Sequence, residues 1–338
     1  MTRGLAISIA VLLLASPPLR ADIYELPPEG FDVIGSVSTV VARHEDTLVD
    51  IARRHGLGYQ DIVRANPDVQ VWVPGEGTEV ILPTRYVLPP GPRKGLVLNL
   101  AEYRMYFYPE QKKDEPALVY VYPMSIGRMD WETPLGETTI VAMAKNPAWY
   151  PPQSVREEHA ADGDPLPRIV PPGPDNPLGS RALRLGLPGY LIHGTNRPAG
   201  VGMRVSHGCI RMFPEDIEFL FSRVNVNTLV RIINAPVKMG WDGQELVAEV
   251  HPVLESPQPL VASSLQQIEE LDADVEMPEG IASSKDPMTQ MTEQFIIATA
   301  ERPGQLDWEL AERLVQRSNG IPETVGRRIK NAATSAAF

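Results

Sequence analysis

The residues of this chain that could carry out covalent chemistry cluster between His193 and Met212. Cys209 is the only cysteine in 338 residues, and two of the six histidines, His193 and His207, precede it in this segment. A thiol attacks a carbonyl carbon as the thiolate, and a nearby imidazole or cation can lower its pKa enough to supply one. A buried structural cysteine is the alternative, because free cysteine is among the most buried residue types. The clustering favours a reactive Cys209 and predicts acyl transfer.

The first 21 residues predict an export signal. Arg3 supplies a positive charge, Leu5 to Ala15 form a short apolar stretch, and Ala21 ends the segment at a cleavage site. About eleven apolar residues are too few to cross a bilayer, which requires roughly 20. We therefore expect an exported mature protein without a membrane span, in an oxidising compartment. An unpaired cysteine in that oxidising compartment is a liability unless it is used, which again favours a reactive Cys209.

Composition excludes one class of partner and indicates a loop-rich chain. The formal net charge is −12 and the sequence has no long basic run, which argues against nucleic acid as a partner. The 34 prolines predict many loops instead of long helices. Four histidines (His44, His55, His159 and His251) have no companions at metal-ligand spacing, so we expect no metal and no cofactor.

The cysteine segment resembles the signature of the YkuD-type L,D-transpeptidases. That signature is a histidine followed by glycine or serine, a loop, and then Ser/Thr-His-Gly-Cys with an apolar residue and Arg or Asn. The matching segments here are His193-Gly194 and Ser206-His207-Gly208-Cys209-Ile210-Arg211. Peptidases of cell-wall turnover that place cysteine before histidine have the opposite order, and the sortase motif Thr-Leu-x-Thr-Cys is missing.

The resemblance implies a role for each residue of the motif. Cys209 would be the nucleophile and His193 the proton donor and acceptor, with the carbonyl of Gly194 orienting its ring. Backbone N–H groups around His207 and Gly208 would form the oxyanion region. His207 competes for the base role because it is near Cys209 in sequence. We favour His193, because residues two apart on an extended segment have no guaranteed side-chain contact.

Five further residues are expected to contact substrate. Arg211 stays protonated, so a carboxylate-binding role suits it better than proton transfer, and a structural salt bridge is the alternative. Ser206 and Thr195 flank the two histidines of the motif. Trp149 and Tyr150 lie in the proline-rich stretch from 146 to 176 and offer stacking surface. That stretch is either an irregular surface loop or a flap over the substrate groove.

Residues 39–84 predict a small βααβ unit. It resembles a LysM domain at four places: Asp46-Thr47-Leu48, Ile51-Ala52, Asn66-Pro67, and Pro74-Gly75 with Ile81-Leu82-Pro83. Asp46 is expected to cap the first helix. The resemblance implies binding to the glycan of peptidoglycan, and a generic α+β spacer is the alternative. The Pro/Gly-rich residues 85–94 predict an extended linker, so that binding and chemistry would lie on separate modules.

The fold is expected to be mainly β, with a β-sandwich catalytic domain over residues 95–235. The predicted strands are rich in Val, Ile, Tyr and Thr, and they lie at 96–100, 104–108, 117–122, 138–144, 190–192 and 229–233. A helix is predicted to start at Pro214. Residues 236–338 predict an extension that is partly disordered, over 256–287, and partly helical, over 289–299 and 306–315.

The resemblance implies a periplasmic location and a reaction on peptidoglycan stem peptides. Cys209 would form a thioester with a stem tetrapeptide and release D-alanine, and an amine would then resolve the thioester. The acceptor would be a second stem peptide, giving a 3–3 cross-link, or the C-terminal lysine of an outer-membrane lipoprotein, which we slightly favour. An L,D-carboxypeptidase that uses water and a non-catalytic wall-binding protein are the alternatives.

Overall fold

The computed structural model describes residues 22–128, 131–254 and 286–329. The predicted export signal (1–21) and residues 256–285 of the segment predicted to be disordered lie outside these ranges. Strands predominate over helices in the described chain, so the prediction of a mainly β fold is confirmed. No helix in the described part is long and apolar enough to cross a membrane.

The N-terminal part contains five short strands and two helices. In chain order these are β1 (Asp22–Glu25), β2 (Val33–Gly35), β3 (Ser38–Val41), α1 (Leu48–Arg54), α2 (Tyr59–Ala65), β4 (Glu79–Leu82) and β5 (Arg85–Val87). β3 and β4 pair antiparallel, and with the two helices they enclose an apolar core that includes Leu48, Ile51, Ile62 and Val80. The unit therefore has the predicted βααβ order, while its LysM identity stays a prediction.

The N-cap of helix α1 lies one residue later in the chain than predicted. Thr47, not Asp46, is the N-cap: its hydroxyl accepts from the N–H of Asp50 at 3.0 Å, and the Asp50 carboxylate accepts from the Thr47 N–H at 3.1 Å. This reciprocal pair satisfies two donors that a helix start leaves free. Asp46 instead forms an ion pair with Arg54 at 2.6 Å, which lowers the pKa of its carboxyl to about 2.

The prediction of an extended linker over 85–94 is wrong for its first residues. Residues 85–87 form β5, which pairs antiparallel with β2, and Tyr86, Val87 and Leu88 are buried. The prolines at 89, 90 and 92 suggested a spacer, but the residues just before them are apolar and pack into a core. The chain between the βααβ unit and the catalytic sheet is thus part of the folded body.

The βααβ unit is docked against the rest of the chain. The N–H groups at the start of α2 donate to two loop carbonyls, from Tyr59 to Val201 at 3.0 Å and from Gln60 to Gly202 at 3.3 Å. Arg53 of α1 makes a two-pronged ion pair with Glu215, with both N–O distances 3.1 Å. The expectation of separate modules is therefore corrected, because the unit supports the loop that leads into the cysteine motif.

A nine-stranded sheet forms the centre of the molecule. After β5 the strands of this part of the chain are, in order, β6 (Gly95–Asn99), β7 (Arg104–Tyr108), β8 (Leu118–Pro123), β9 (Ile126–Gly127), β10 (Gly136–Lys145), β11 (Arg181–Leu185), β12 (Leu191–His193), β13 (Arg204–Ser206), β14 (Ile210–Arg211) and β15 (Leu229–Ile233). The order in the sheet is β1-β8-β7-β6-β15-β10-β11-β12-β14, and β9 and β13 form a separate parallel pair. Helices α3 (Gln153–Ala161) and α4 (Pro214–Phe221) interrupt this series.

Strand β10 lets the sheet curl around its core. Its first residues pair with β15, and from Ile140 onwards it pairs with β11, with an irregularity between Ile140 and Ala142. A bulge bends a strand and increases its twist. Leu98 of β6 and Ile192 of β12 consequently belong to one buried apolar cluster, although they lie in different halves of the sheet.

The C-terminal extension contains four strands that the sequence analysis missed. Its elements are β16 (Val237–Asp242), β17 (Glu245–Val250), α5 (Pro287–Thr299), β18 (Gly304–Leu306), α6 (Trp308–Arg317) and β19 (Glu323–Arg328). The strands form a sheet in the order β16-β17-β19-β18, and its apolar cluster includes Met291 of α5 and Leu314 of α6. The Asp242-Gly243 turn, with φ +65° at Gly243, was the overlooked hairpin signal.

A buried network of charges joins the three parts of the chain. Arg104, only 2% exposed, contacts Asp61 of α2 at 2.7 Å, Glu102 at 2.9 Å and Glu249 of β17 at 2.6 Å. Burial alone would lower the pKa of Arg104, but these three carboxylates raise it well above its ordinary value. Lys238 of β16 adds contacts to Glu102 at 2.7 Å and Glu249 at 3.0 Å. We call these five residues the junction network.

Candidate active site

The cysteine motif forms a turn whose carbonyls are held by two hydroxyls. The Ser206 hydroxyl donates to the carbonyl of Cys209, and the Thr133 hydroxyl donates to that of Gly208 at 2.8 Å. Gly208 has φ +91°, and a Cβ there would lie 2.9 Å from a ring carbon of Tyr190, so only glycine suits the position. Because C=O and N–H of one peptide unit point in opposite directions, the Cys209 N–H is turned away from Thr133.

Two short parallel strands bring the histidine and the cysteine segments together. β12 pairs with β14 so that Ile192 lies opposite Ile210 and His193 opposite Arg211. Cys209 directly precedes β14, so it lies at the same edge of the sheet as His193. Both side chains line one cavity of about 530 Å³.

His193 is held as a neutral imidazole with a defined tautomer. Its Nδ1 lies 2.6 Å from the carbonyl oxygen of Gly194, which can only accept, so the hydrogen resides on Nδ1 and Nε2 carries the lone pair. Burial, with a smaller effect from the charge of Arg211, lowers the pKa of His193 to about 3. The ring is thus available to take up a proton at neutral pH.

Cys209 rests as a protonated thiol. Its Sγ donates to the carbonyl of Gly189 at 3.6 Å. Burial raises the pKa of the thiol, and the opposing effects of the Leu191 N–H and the Arg211 charge do not overcome it. The expectation that the neighbours of Cys209 lower its pKa is therefore wrong. The geometry fits a neutral thiol that gives up its proton to His193 during attack.

His207 is engaged on a different side of the site. Its Nε2 lies 2.9 Å from a carboxylate oxygen of Glu158, and its ring meets that of Trp131 edge-on at 5.4 Å between centroids. Glu158 also accepts from Arg128 at 2.8 Å, and Arg128, followed by His207, lowers the pKa of the Glu158 carboxyl. His207 therefore links the cysteine motif to helix α3.

The stretch from 146 to 176 has regular structure, which neither the surface-loop prediction nor the flap prediction included. It contains α3, and the Asn176 side chain closes it by donating to the carbonyls of Pro147 at 2.9 Å and Pro171 at 3.0 Å. Trp149 and Val170 exchange backbone hydrogen bonds of 2.9 Å. The stretch lines one side of the cavity that contains Cys209.

All five predicted substrate-contact residues line the cavity, but they differ in exposure and in whether their polar groups are already hydrogen-bonded within the protein. Ser206 and Thr195 are buried, and their hydroxyls are used within the protein, by the carbonyl of Cys209 and the N–H of Arg197. Tyr150 is 67% exposed. Trp149, Tyr150 and Arg211 are thus the members best placed to meet a ligand.

Sequence reasoning missed four residues that shape the site. Tyr190 packs against Gly208 and donates to the carbonyl of Glu132 at 3.1 Å. Arg197 lines the cavity, and Thr133 and Glu158 hold the turn and α3 as described above. None of the four belongs to the 193–194 or 206–211 segments that carry the resemblance.

One possible metal-ligand group lies elsewhere, in and beside the junction network. Ligand atoms of Glu102, Glu249 and His251 lie within 4.8 Å of one another, so His251 does have companions that sequence spacing did not reveal. The ammonium of Lys238 contacts both carboxylates, which gives them a cation already. We propose no metal there.

The structure thus brings a cysteine and a neutral histidine to one cavity. A family model for the L,D-transpeptidase catalytic domain, YkuD, matches residues 93–232. The probable L,D-transpeptidase YcfS of Escherichia coli is 40% identical over 254 residues, covering 73% of this chain and 78% of that protein. The probable L,D-transpeptidase ErfK/SrfK of Salmonella typhimurium is 35% identical over 319 residues, 93% of this chain and 94% of that protein. The chain belongs to the L,D-transpeptidase family.

Solved structures give a more partial likeness. L,D-transpeptidase 3 from Mycobacterium tuberculosis, in complex with a faropenem-derived adduct, is 19% identical and has a TM-score of 0.31, covering 46% of this chain and 66% of that chain. At that similarity the likeness supports no argument about mechanism. The matched family residues also do not include 39–84, so the LysM resemblance rests on sequence landmarks alone.

Proposed function

We propose that this chain is a periplasmic cysteine L,D-transpeptidase that acts on the stem peptides of peptidoglycan. The observation that carries the proposal is the shared cavity of Cys209 and His193, with the His193 Nδ1–H fixed on the Gly194 carbonyl. A base whose lone pair is available at neutral pH is what a protonated thiol requires.

The reaction begins with acylation. As the Cys209 sulfur attacks the carbonyl carbon of the third stem residue, the thiol proton passes to Nε2 of His193. The carbonyl oxygen becomes an oxyanion, which the N–H groups of the 207–209 turn stabilise. The C–N bond to D-alanine then breaks, and its nitrogen takes the proton from His193. The product is a thioester on Cys209.

The second half of the reaction returns the enzyme. A primary amine attacks the thioester carbonyl and loses a proton to His193, and the Cys209 thiolate leaves and is reprotonated by the imidazolium. The amine belongs either to another stem peptide or to the C-terminal lysine of an outer-membrane lipoprotein, which we favour slightly. The βααβ unit is proposed to bind wall glycan as a LysM domain.

Muropeptide analysis tests the proposal. Sacculi from cells that express the chain or its Cys209→Ala variant are digested, and the fragments are identified by mass. We expect the active chain alone to produce lysine-bearing muropeptides or 3–3 dimers, and the product that appears names the acceptor. Tripeptides without either product would replace the transpeptidase with a carboxypeptidase. Identical patterns, with no acylation of Cys209 by a carbapenem, would favour a non-catalytic wall-binding protein.

A further inference from the structure

Two arginines of the active-site cavity have no anionic partner among the residues that the structure describes. Arg197, in the loop after His193, and Arg211, at the end of β14, both line the cavity that contains Cys209. Within the described ranges, no carboxylate lies within ion-pairing distance of either guanidinium. Arg104, by contrast, is matched by three carboxylates.

The charges around these arginines do not neutralise them. Burial lowers the pKa of Arg211, Cys209 opposes this in part, and the like charges of Arg197 and Arg128 lower it further. Arg128 is balanced by Glu158. Of the two cavity aspartates, Asp164 faces His159 at 3.5 Å, and Asp175 makes no ion pair with either arginine. A partly buried guanidinium without a partner is costly, and a bound anion removes that cost.

We propose that Arg197 and Arg211 form a subsite for the terminal carboxylate of the amino acid that the reaction releases. This proposal rests on the proposed function and names the part of the substrate that the site selects. The two guanidiniums bind the carboxylate before acylation and keep it unchanged while the adjacent C–N bond breaks.

The position of the subsite follows from the proton that His193 must deliver. The leaving nitrogen accepts this proton, so it lies next to His193. In a C-terminal residue the carboxylate is attached one carbon away, which places its oxygens within about 4 Å of that nitrogen. Arg211 is the register partner of His193 and faces the same cavity. The carboxylate of the leaving residue therefore falls at Arg211, and Arg197 reaches it from the loop that follows His193.

A pair of stem tetrapeptides that differ only in the last group tests the subsite. One ends in a free carboxylate and the other in a carboxamide, and kcat/KM for release of the last residue is measured with each. The full chain should prefer the carboxylate by about tenfold to a hundredfold, the range expected for hydrogen bonds to a charged group. Arg211→Gln and Arg197→Gln should each bring this ratio towards one by slowing the carboxylate peptide alone.

Arg204→Gln is the matched control. Arg204, the first residue of β13, directly follows the same loop but lies outside the cavity, with its Nε donating to the Gly127 carbonyl at 3.0 Å. Its substitution should leave the ratio at the wild-type value, whatever happens to the rate. A wild-type ratio near one, or a ratio that neither cavity-arginine variant changes, would overturn the subsite while leaving the proposed function intact.

A measurement without turnover separates failure of the subsite from failure of the proposed function. Iodoacetamide alkylates Cys209, and N-acetyl-D-alanine, but not its amide, should slow this reaction in the wild type and not in the arginine variants. If no stem peptide is turned over, this protection decides the matter. Protection that the arginine variants lose would support the subsite while refuting the proposed transpeptidase function. Absence of protection would refute both the subsite and the proposed function.

Discussion

Two arginines of the molecule, Arg104 and Arg211, differ in how their charge is balanced. Arg104, in the junction network, contacts three carboxylates at 2.6 to 2.9 Å and lies under the ring of Tyr86 at 4.5 Å. Arg211, beside Cys209, contacts none within the described chain. Arg104 is buried and Arg211 is partly buried, so both are shielded from water, and they differ in the carboxylates that balance their charge.

The comparison distinguishes charges that stabilise the fold through paired partners from charges that are available to bind a ligand. Removing one partner from a buried ion pair leaves an uncompensated charge and destabilises strongly. A charge left unmatched in a cavity costs stability in the free protein and becomes favourable only when a ligand binds. We therefore expect substitutions in the junction network to change stability, and substitutions around Cys209 to change activity.

The largest effect is expected from Cys209→Ala. Loss of the nucleophile should reduce release of the terminal residue from stem peptides below detection, because no other group can form the thioester. The melting temperature should stay within about 2 °C, since the substitution exchanges one small side chain for another. Release near the wild-type rate would refute the assignment of Cys209 as the nucleophile. A large fall in the melting temperature would contradict the expectation that residues around Cys209 affect activity and not stability.

The two histidines should differ in the next largest effect. His193→Ala should slow acylation by a carbapenem by about 10²–10⁴-fold, the usual contribution of a general base. His207→Ala should cost much less, because His207 is occupied by Glu158. Intact-protein mass spectrometry gives both rates. The assignment would be reversed if His207→Ala proved the more damaging of the two.

In the junction network, Lys238→Met should destabilise the fold by about 3–5 kcal/mol, because Glu102 and Glu249 would each lose a buried cation. Urea unfolding measures this. Arg317→Met is the control: it removes an ion pair with Glu323 at 2.7 Å in which Arg317 is 48% exposed, and should cost under about 1 kcal/mol. Equal losses for both variants would show that burial of the pair does not matter.

The pH dependence of acylation should be shallow on the acid side. A histidine with an ordinary pKa of about 6.5 would lose roughly 30-fold of its neutral form by pH 5. The pKa of His193 is lowered to about 3, so it stays unprotonated throughout that range, and the rate should fall less than about threefold between pH 7 and pH 5. Stopped samples analysed by mass give the profile. A descending limb centred near pH 6.5 would contradict the burial of this ring.

The smallest effect is expected at helix α3. Glu158→Gln removes the charge that ties α3 to Arg128 and His207, and should lower kcat/KM on stem peptides by about two- to tenfold while increasing amide exchange over 153–161. Glu157→Gln, on the same helix and bonded only locally to Gln153 at 2.7 Å, should change neither. A Glu158 variant that behaves like the control would show that the contacts of α3 with Arg128 and His207 do not support the site.

Much of the catalytic sheet and the cysteine motif could be predicted from sequence. The strands at 104–108 and 229–233 have the predicted bounds, because their Val, Ile and Tyr content is a local signal. The His193-Gly194 and 206–211 segments are likewise contiguous patterns. The roles inferred for them stay predictions until the substitutions above are made.

What could not be predicted depends on contacts between distant residues. Arg104 and Glu249 are 145 positions apart, and Glu158 meets His207 across 49 positions, so no local pattern announces either pair. The same holds for the docking of Tyr59 on Val201. Burial also decided the thiol chemistry: sequence neighbours suggested a lowered pKa for Cys209, and the fold raises it.

The junction network has a consequence for the order in which the chain matures. Lys238 and Glu249 follow Glu102 and Arg104 by more than a hundred residues, so a growing chain contains the catalytic strands long before their last charge partners. Until β16 and β17 arrive, Arg104 has only Asp61 and Glu102 as charge partners, and the βααβ unit is held by its contacts with Val201, Gly202 and Glu215 without the completed network. The lone thiol thus gains its finished surroundings only when the C-terminal strands have been delivered.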